Sequence, residues 1–394
     1  MQKIAFFIIF ALLIHVVSRK RHREIEIDSE MNIDGDELKD QTNKLSQYML
    51  QPTLNSAENN YILNKDITSI TWLENHHLYR DQYNDNSRGG ETLIYVTPWN
   101  KKGFYFSQLM AKQSKLTWLV PVWFQIRKHD NGHLYIAGEH DIDIEWMRSF
   151  TILKEESTCP KSYLKIIPRV VLECEINSIK EIEEVSEMLL ELLSKYQKMN
   201  MVGFTFEISF QHIDVAVKLP LILKKKKKQI KLVFVLPPIQ LAGHDTTLGK
   251  QEREVISQLA INFDRFSVMT YDKDRNGNPI APLSWVKSCL EPLSHLKVLN
   301  DKLLLGIPFY GWNSRGEAMT ADDMIKWITS DKSVTLKWDT IAKEHVWKDS
   351  NGMKSSYPTP WMLQERLKLS NELNLMGVAI WELGQGVAAN MDIF

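Results

Sequence analysis

The sequence predicts an α/β protein folded as a (β/α)8 TIM barrel, with an N-terminal extension and a small α+β insertion between strands seven and eight. Eight β-like runs follow one another between residues 92 and 381. Amphipathic helical stretches separate most of them. No Gly-rich phosphate turn follows an early run, so the competing doubly wound sheet lacks its usual nucleotide site.

Residues 1–18 read as a secretory signal. Lys3 precedes the apolar run Ile4 to Ile14, small Val16 and Ser18 suit a cleavage site, and Arg19 and Lys20 follow. The run is shorter than the ~18–20 residues a membrane span needs. The expected location is therefore secreted or lysosomal. Residues 19–90 are polar and rich in Asn, Asp and Gln. They read as an extension with one helix near 40–50, not as a core-bearing domain.

The barrel is expected over 91–394. Its strands are placed at Thr92–Thr97, Leu116–Gln125, Leu164–Leu172, Met201–Phe210, Ile230–Leu236, Arg265–Tyr271, Lys302–Pro308 and Gly377–Trp381. The clearest helix covers 179–198. Ser178 and Glu181 have capping-box spacing, and Ile179, Ile182, Val185, Leu189, Leu192 and Tyr196 share one stripe. The interval before the last strand is too long for a plain loop. It reads as an inserted lobe at about 313–357, with β-like Ser333–Trp338 and His345–Lys348, followed by a helix near 360–373.

Composition excludes several roles. Lysine plus arginine is 48 and aspartate plus glutamate 49, a net charge of −1, so no global positive field draws nucleic acid. Hydrophobic content of 44% fits a folded chain. Cys159, Cys174 and Cys289 are an odd number without metal-ligand spacing, so neither a disulfide scaffold nor a metal or other cofactor is expected. There is no Asn-x-Ser/Thr sequon.

Barrel enzymes place their chemistry at the C-terminal ends of strands. On strand four, Phe204, Phe206, Ile208 and Phe210 share one parity and should pack outward. Thr205, Glu207 and Ser209 share the other and should face the axis. An inward carboxylate costs free energy unless partnered or protonated, which makes Glu207 a site candidate. The plain alternative is a structural glutamate bonded to a neighbouring tyrosine or to backbone.

The later strand ends carry a resemblance. Met269-Thr270-Tyr271-Asp272, Leu305-Gly306-Ile307-Pro308-Phe309-Tyr310-Gly311 and the closing Trp381 resemble the family 18 glycoside hydrolases, the chitinases. Tyr95 to Asn100, Ala281 to Val286 and Trp381 to Gly386 point to a chitinase-like, stabilin-interacting branch. The resemblance covers about 91–394.

The family's signature, Asp-Gly-x-Asp-x-Asp-x-Glu, ends strand four. Its glutamate protonates the leaving oxygen while the substrate's own N-acetyl carbonyl attacks, an exception to the two-carboxylate scheme. Laid on this chain, the signature becomes Val202, Gly203, Thr205 and Glu207, and the general acid falls on Ser209. A hydroxyl cannot replace a tuned carboxylic acid, and general acid catalysis contributes roughly 10²–10⁴-fold. The resemblance thus implies no catalytic residue and no enzyme activity. Asp141, Asp143 and Glu145 copy the acidic string more faithfully, but they precede the helical spacing of Trp146, Met147 and Phe150. Capping and the helix dipole explain them.

Position in the family assigns sugar binding to Trp381, Tyr271, Asp272, Glu207, Met269, Trp99 and Tyr310. Trp123 and Trp312 are further candidates, for which core packing is the simpler explanation. The run Lys224 to Lys228, on the face opposite the groove, reads as solvated, with anionic glycan or membrane surface as the alternative. The expected function is a non-catalytic lectin for chitooligosaccharide or other N-acetylglucosamine-containing glycans. Two others stay open: a glycosidase using Glu207 or Glu382, and a trafficking protein with a vestigial groove. The resemblance also implies a stabilin-type receptor as partner.

Overall fold

The computed structural model describes residues 51–53, 63–80, 90–156, 164–239 and 248–394. The signal at 1–18, the helix near 40–50 and Cys159 lie outside them. Eight parallel strands form the barrel: β1 (Glu91–Val96), β2 (Trp118–Lys128), β3 (Arg169–Leu172), β4 (Gly203–Glu207), β5 (Lys231–Leu236), β6 (Arg265–Val268), β7 (Leu303–Pro308) and β8 (Gly377–Trp381). Each pairs with the next, and β8 returns to β1 through Gly377↔Glu91 to Ile380↔Ile94.

Strand alternation sorts the side chains. Leu93, Tyr95, Val120, Val122, Ile167, Val233, Val235, Leu304 and Ala379 fill the interior. Ile94, Leu119, Phe204, Phe206, Phe234, Ile307 and Ile380 pack outward under the helices. Both faces of each strand are therefore buried, which is why the runs are almost continuously apolar. Gly203 is required at the start of β4, because a Cβ there would lie 1.7 Å from the Lys231 carbonyl oxygen of β5.

Several boundaries differ from the sequence reading. Pro168 breaks the third run into Lys165–Ile166 and Arg169–Leu172. Strand two runs on to Lys128 and turns at Asp130-Asn131-Gly132 into an antiparallel strand, Leu134–Ala137. The helix Ile179–Tyr196 is capped by Ser178 Oγ, which accepts the Glu181 N–H at 3.2 Å. Ile179 leaves the buried stripe, since its first-turn position faces solvent.

The insertion is a compact lobe. It holds the pair Gly311–Trp312 and Ala318–Met319, a helix at Ala321–Ser330, and the three-stranded antiparallel sheet Thr335–Asp339, Glu344–Lys348 and Lys354–Ser356. Met324, Trp327, Trp347 and Tyr357 form its core together with Ile67 and Trp72 from upstream of the barrel. Trp72 meets Trp347 and Tyr357 edge-on at 5.1 and 5.8 Å. Its helix, Ser69–Asn75, is capped by Thr68 Oγ1. Part of the span read as a core-free extension therefore carries core side chains. Three apolar residues, Ile70, Trp72 and Leu73, on a two-turn helix are too few to show periodicity.

Two buried polar contacts fix the lobe. His345 lies between Thr359 Oγ1 at 2.7 Å and the Lys65 carbonyl oxygen at 2.9 Å. Burial pushes its pKa down to about 4, so it is neutral. Glu344 accepts the Ile280 and Ala281 N–H groups at 2.9 and 2.8 Å and pairs with Arg366 at 2.8 Å. That bracket ties the loop after β6, the lobe and the helix Pro360–Glu372 together, and it gives the Ala281 motif a structural role. Removing a fully buried indole typically costs ~3–5 kcal/mol. Trp72→Ala is expected to lower the unfolding free energy by an amount in that range, read from urea denaturation.

Candidate functional site

The C-terminal ends of the strands bring two linked clusters together. Glu207 closes β4 on the axial side, and its Oε2 accepts the Arg169 Nε–H at 2.7 Å. The ladder pairs Arg169 with Thr205 and Val171 with Glu207, so this contact is a diagonal across β3 and β4. The Arg169 side chain is 7% exposed and that of Glu207 29%. Burial works against charge on Arg169. The field of Glu207 and the bond to it more than offset burial, and the guanidinium pKa stands above its ordinary value. The Trp381 ring lies 5.9 Å from this guanidinium and 5.1 Å from the Tyr95 ring. The buried Tyr95 hydroxyl adjoins Ser267 at a geometry short of a full hydrogen bond.

Asp272 organises the second cluster. It sits in the left-handed backbone region, at φ 62°, just past β6. Oδ1 accepts the Tyr310 hydroxyl at 2.6 Å and the Trp312 Nε1–H at 2.7 Å, while Oδ2 accepts Arg275 at 3.0 Å. The Arg275 guanidinium lies 5.0 Å over the Trp312 ring. Tyr271 meets Tyr310 edge-on at 6.3 Å. Burial, then the fields of Tyr95, Asp272 and Glu207, raise the Tyr271 pKa, which links the two clusters. Met269 is half-buried beside the barrel interior.

Other candidates fall elsewhere. Ser209 is exposed and lies two residues beyond the end of β4. Its Oγ accepts the Gln211 N–H at 3.3 Å and caps the short turn Phe210–His212. That turn ends the strand early, so Ser209 is not an axial strand residue, and Phe210 is 37% exposed instead of packed outward. Thr205, at the signature's middle aspartate, is buried and donates to the Ile167 carbonyl at 3.0 Å. Trp99 is 72% exposed on the loop after β1. Trp123 is fully buried against Trp146 and packs in the outer core. Asp143 Oδ1 accepts the Trp146 N–H at 3.0 Å, so it caps the helix Ile144–Glu156, and Glu145 is exposed in its first turn.

Glu382 is a brace. Its Oε1 accepts Asn100 Nδ2 at 2.8 Å and its Oε2 accepts the Gly384 N–H at 3.2 Å. This joins the loop after β1 to the end of β8. A Cβ on Gly384 would lie 2.5 Å from the Asn100 amide, so the motifs Tyr95–Asn100 and Trp381–Gly386 need each other. Burial raises the Glu382 pKa to about 7 despite these donors. Cys174 and Cys289 are free thiols; burial pushes Cys289 up to about 12, which suppresses its thiolate. Among the described residues, no group of three or more His, Cys, Asp or Glu is placed to hold a metal ion. Nor is any of their helices long and apolar enough to cross a membrane.

Sequence reading missed Arg169, Asn100 and Arg275. The signal for Arg169 was present: it is a cation among Ile166, Ile167, Val170 and Val171, at the parity of the barrel interior. Together the clusters offer an aromatic floor with hydroxyl, carboxylate and guanidinium groups at its edges, which suits a polar ring with an apolar face.

The family model for the glycosyl hydrolases of family 18 matches residues 53–386. The fold is similar to a class V chitinase from Pseudomonas fluorescens, at 15% identity and a TM-score of 0.60, covering 77% of this chain and 98% of that one. It is also similar to a mutant family 18 chitinase from Cycas revoluta in complex with (GlcNAc)4, at 12% identity and 0.59, covering 77% and 97%. The spore cortex-lytic enzyme of Bacillus megaterium matches at 21% identity and 0.55, covering 78% and 74%.

Removing one partner of a buried pair leaves an uncompensated charge. Arg169→Met is expected to cost about 2 kcal/mol, discounted for the partial exposure of Glu207. Adding Glu207→Gln should restore most of that loss in denaturant unfolding. Glu382 gives a pH signature. Its folded pKa is raised to about 7 from 4.5, so its contribution is full below 4.5 and is lost as pH rises through 7. At ~1.4 kcal/mol per unit, the unfolding free energy should fall by about 3 kcal/mol between pH 5 and pH 8. Glu382→Gln should flatten that slope.

Proposed function

The chain belongs to family 18 of the glycosyl hydrolases, and on that premise we propose that it binds N-acetylglucosamine-containing oligosaccharides at the barrel mouth without hydrolysing them. One observation carries this reading. Where the family's mechanism needs a proton donor, this chain has the exposed capping hydroxyl of Ser209, and the nearest strand-four carboxylate, Glu207, is bonded to buried Arg169. Cleavage of a glycosidic bond needs a proton on the leaving oxygen. A serine hydroxyl does not supply one near neutral pH, and the Glu207 carboxyl is already engaged by the Arg169 Nε–H at 2.7 Å.

The binding half of the reading rests on the retained groups. Trp381 offers a ring face, while Tyr271, Asp272 and Tyr310 offer polar atoms around it. Glu207 and Arg169 add a fixed dipole at the floor. Met269 and the exposed Trp99 extend the apolar surface along the mouth and rim.

A hydrolase with Glu382 as acid is the second reading, because a carboxyl at about 7 is in the range a general acid uses. Against it, both carboxyl oxygens are engaged by Asn100 and Gly384, and Lys102 is the cation it senses. The lectin reading also carries a secreted or lysosomal itinerary and membership of the stabilin-interacting branch, with such a receptor as partner. These rest on the sequence motifs at 1–18, 95–100, 281–286 and 381–386. A trafficking protein with an empty groove follows if no glycan binds.

Chitotetraose incubated with purified protein should remain intact by mass spectrometry, while tryptophan fluorescence reports saturable binding. Trp381→Ala should weaken that binding at least ~10-fold, as loss of a stacked aromatic contact does at a hot spot. Turnover abolished by Glu207→Gln or Glu382→Gln would overturn the reading.

A further inference from the structure

The opposite end of the barrel, where the strands begin, has an unusual charge balance. Lys165, Lys224, Lys231, Arg265 and Lys302 gather there, and Asp264 and Glu91 pair with three of them. Arg265 grips Glu91 with both Nε and Nη2, at 2.5 and 2.7 Å. Asp264 takes Lys224 and Lys231 at 3.1 and 3.4 Å and the Leu232 N–H at 2.9 Å. The excess cations sense one another. Burial lowers the Lys165 pKa most; Glu91 opposes it, and repulsion from Lys231 and Arg265 adds to the lowering. Burial also lowers the Lys302 pKa most, with Asp264 opposing and Lys224 and Arg265 adding to the lowering.

The surplus continues outward. Lys224 to Lys226 form the last turn of the helix Ile213–Lys226, and Lys227 and Lys228 follow. Lys226 pairs with Glu187, and Lys227 reaches Gln197, which carries no charge. Lys225 and Lys228 are exposed. Asp301 and Glu372, both exposed beside the starts of β7 and β8, are further carboxylates of this face. The chain as a whole carries −1, so the positive field here is local.

We propose that this base is a docking surface for a sulfated polysaccharide, separate from the sugar groove at the mouth. Lys231 and Arg265 open neighbouring strands β5 and β6, and Lys302 directly precedes β7. Strands are ~4.8 Å apart, so the backbone sets these residues in one row along the rim, where Lys302 Nζ also donates to the Ala260 and Phe263 carbonyls at 2.6 and 3.1 Å. Such a row matches a linear polymer bearing an anionic group on nearly every sugar. Trp118 is buried beneath Lys165 and Arg265, so no indole face is offered for stacking a nucleic-acid base.

The test uses fluorescein-labelled heparin dodecasaccharide and the full chain, read by anisotropy at 50 and 200 mM salt. Binding is expected at low salt and should weaken at least tenfold at the higher salt, because exposed charge contacts are screened. Lys225→Glu/Lys227→Glu/Lys228→Glu should lose at least tenfold in heparin affinity while its melting temperature and chitotetraose titration stay unchanged. If that variant does not fold, Lys225→Gln/Lys228→Gln takes its place with a smaller loss in the same direction. Equal binding of fully desulfated heparin, or heparin affinity unchanged in the variants, would overturn the proposal. Leu221 and Ile261 are exposed apolar side chains on the helices Ile213–Lys226 and Lys250–Asn262, and tighter binding to phosphatidylserine vesicles that Leu221→Ser and Ile261→Ser abolish would also overturn the proposal, since that outcome assigns the face to a membrane.

Discussion

A charged arginine carried on a barrel strand with its side chain almost wholly buried cannot rely on water to solvate its charge, so its partner is dictated. Arg169 reaches diagonally across the ladder to Glu207, and the surrounding groups are arranged about that pair. Trp381 lies beside the guanidinium, Tyr95 packs on Trp381, and Tyr271 joins the pair to the Asp272 cluster. An isolated buried ion would cost several kcal/mol, so neither member of the pair is free to change without the other. This coupling bears on chemistry as well as on stability. The orientation of the Glu207 carboxyl is set by β3 as much as by β4, because its partner Arg169 is carried on β3.

The fold was legible because a parallel barrel writes itself in apolar runs. Seven of its strands were placed within a few residues from their β-like apolar runs, and the long interval before Gly377 announced the inserted lobe. What failed were the ends. Pro168 interrupted one strand, and the Ser209 cap cut another short. Both are local hydrogen-bonding choices that periodicity does not register. The hairpin after β2 was hidden by Arg127 and Lys128, whose charge broke an otherwise β-like pattern.

The site was legible only in part, for a related reason. Tyr271, Asp272, Tyr310 and Trp381 sit at strand ends, where order along the chain translates directly into position around the mouth. Arg169 and Asn100 act through partners 38 and 282 residues away, and spacing within one strand says nothing about those. Several motif residues also proved to hold loops together instead of facing the groove. Glu382 with Asn100, and Ala281 with Glu344 and Arg366, are brackets between loops that the barrel alone would leave independent.

The small helix at Ser69–Asn75 has a practical consequence for anyone preparing the protein. Its indole is a wall of the inserted lobe, and the carbonyl of Lys65 closes the bond to His345. A recombinant product trimmed at the first barrel strand would contain every stave yet leave Trp347 and Tyr357 facing solvent. That sticky aromatic face would invite precipitation and unwanted self-association. Expression boundaries belong upstream of residue 63, however dispensable that stretch looks on paper.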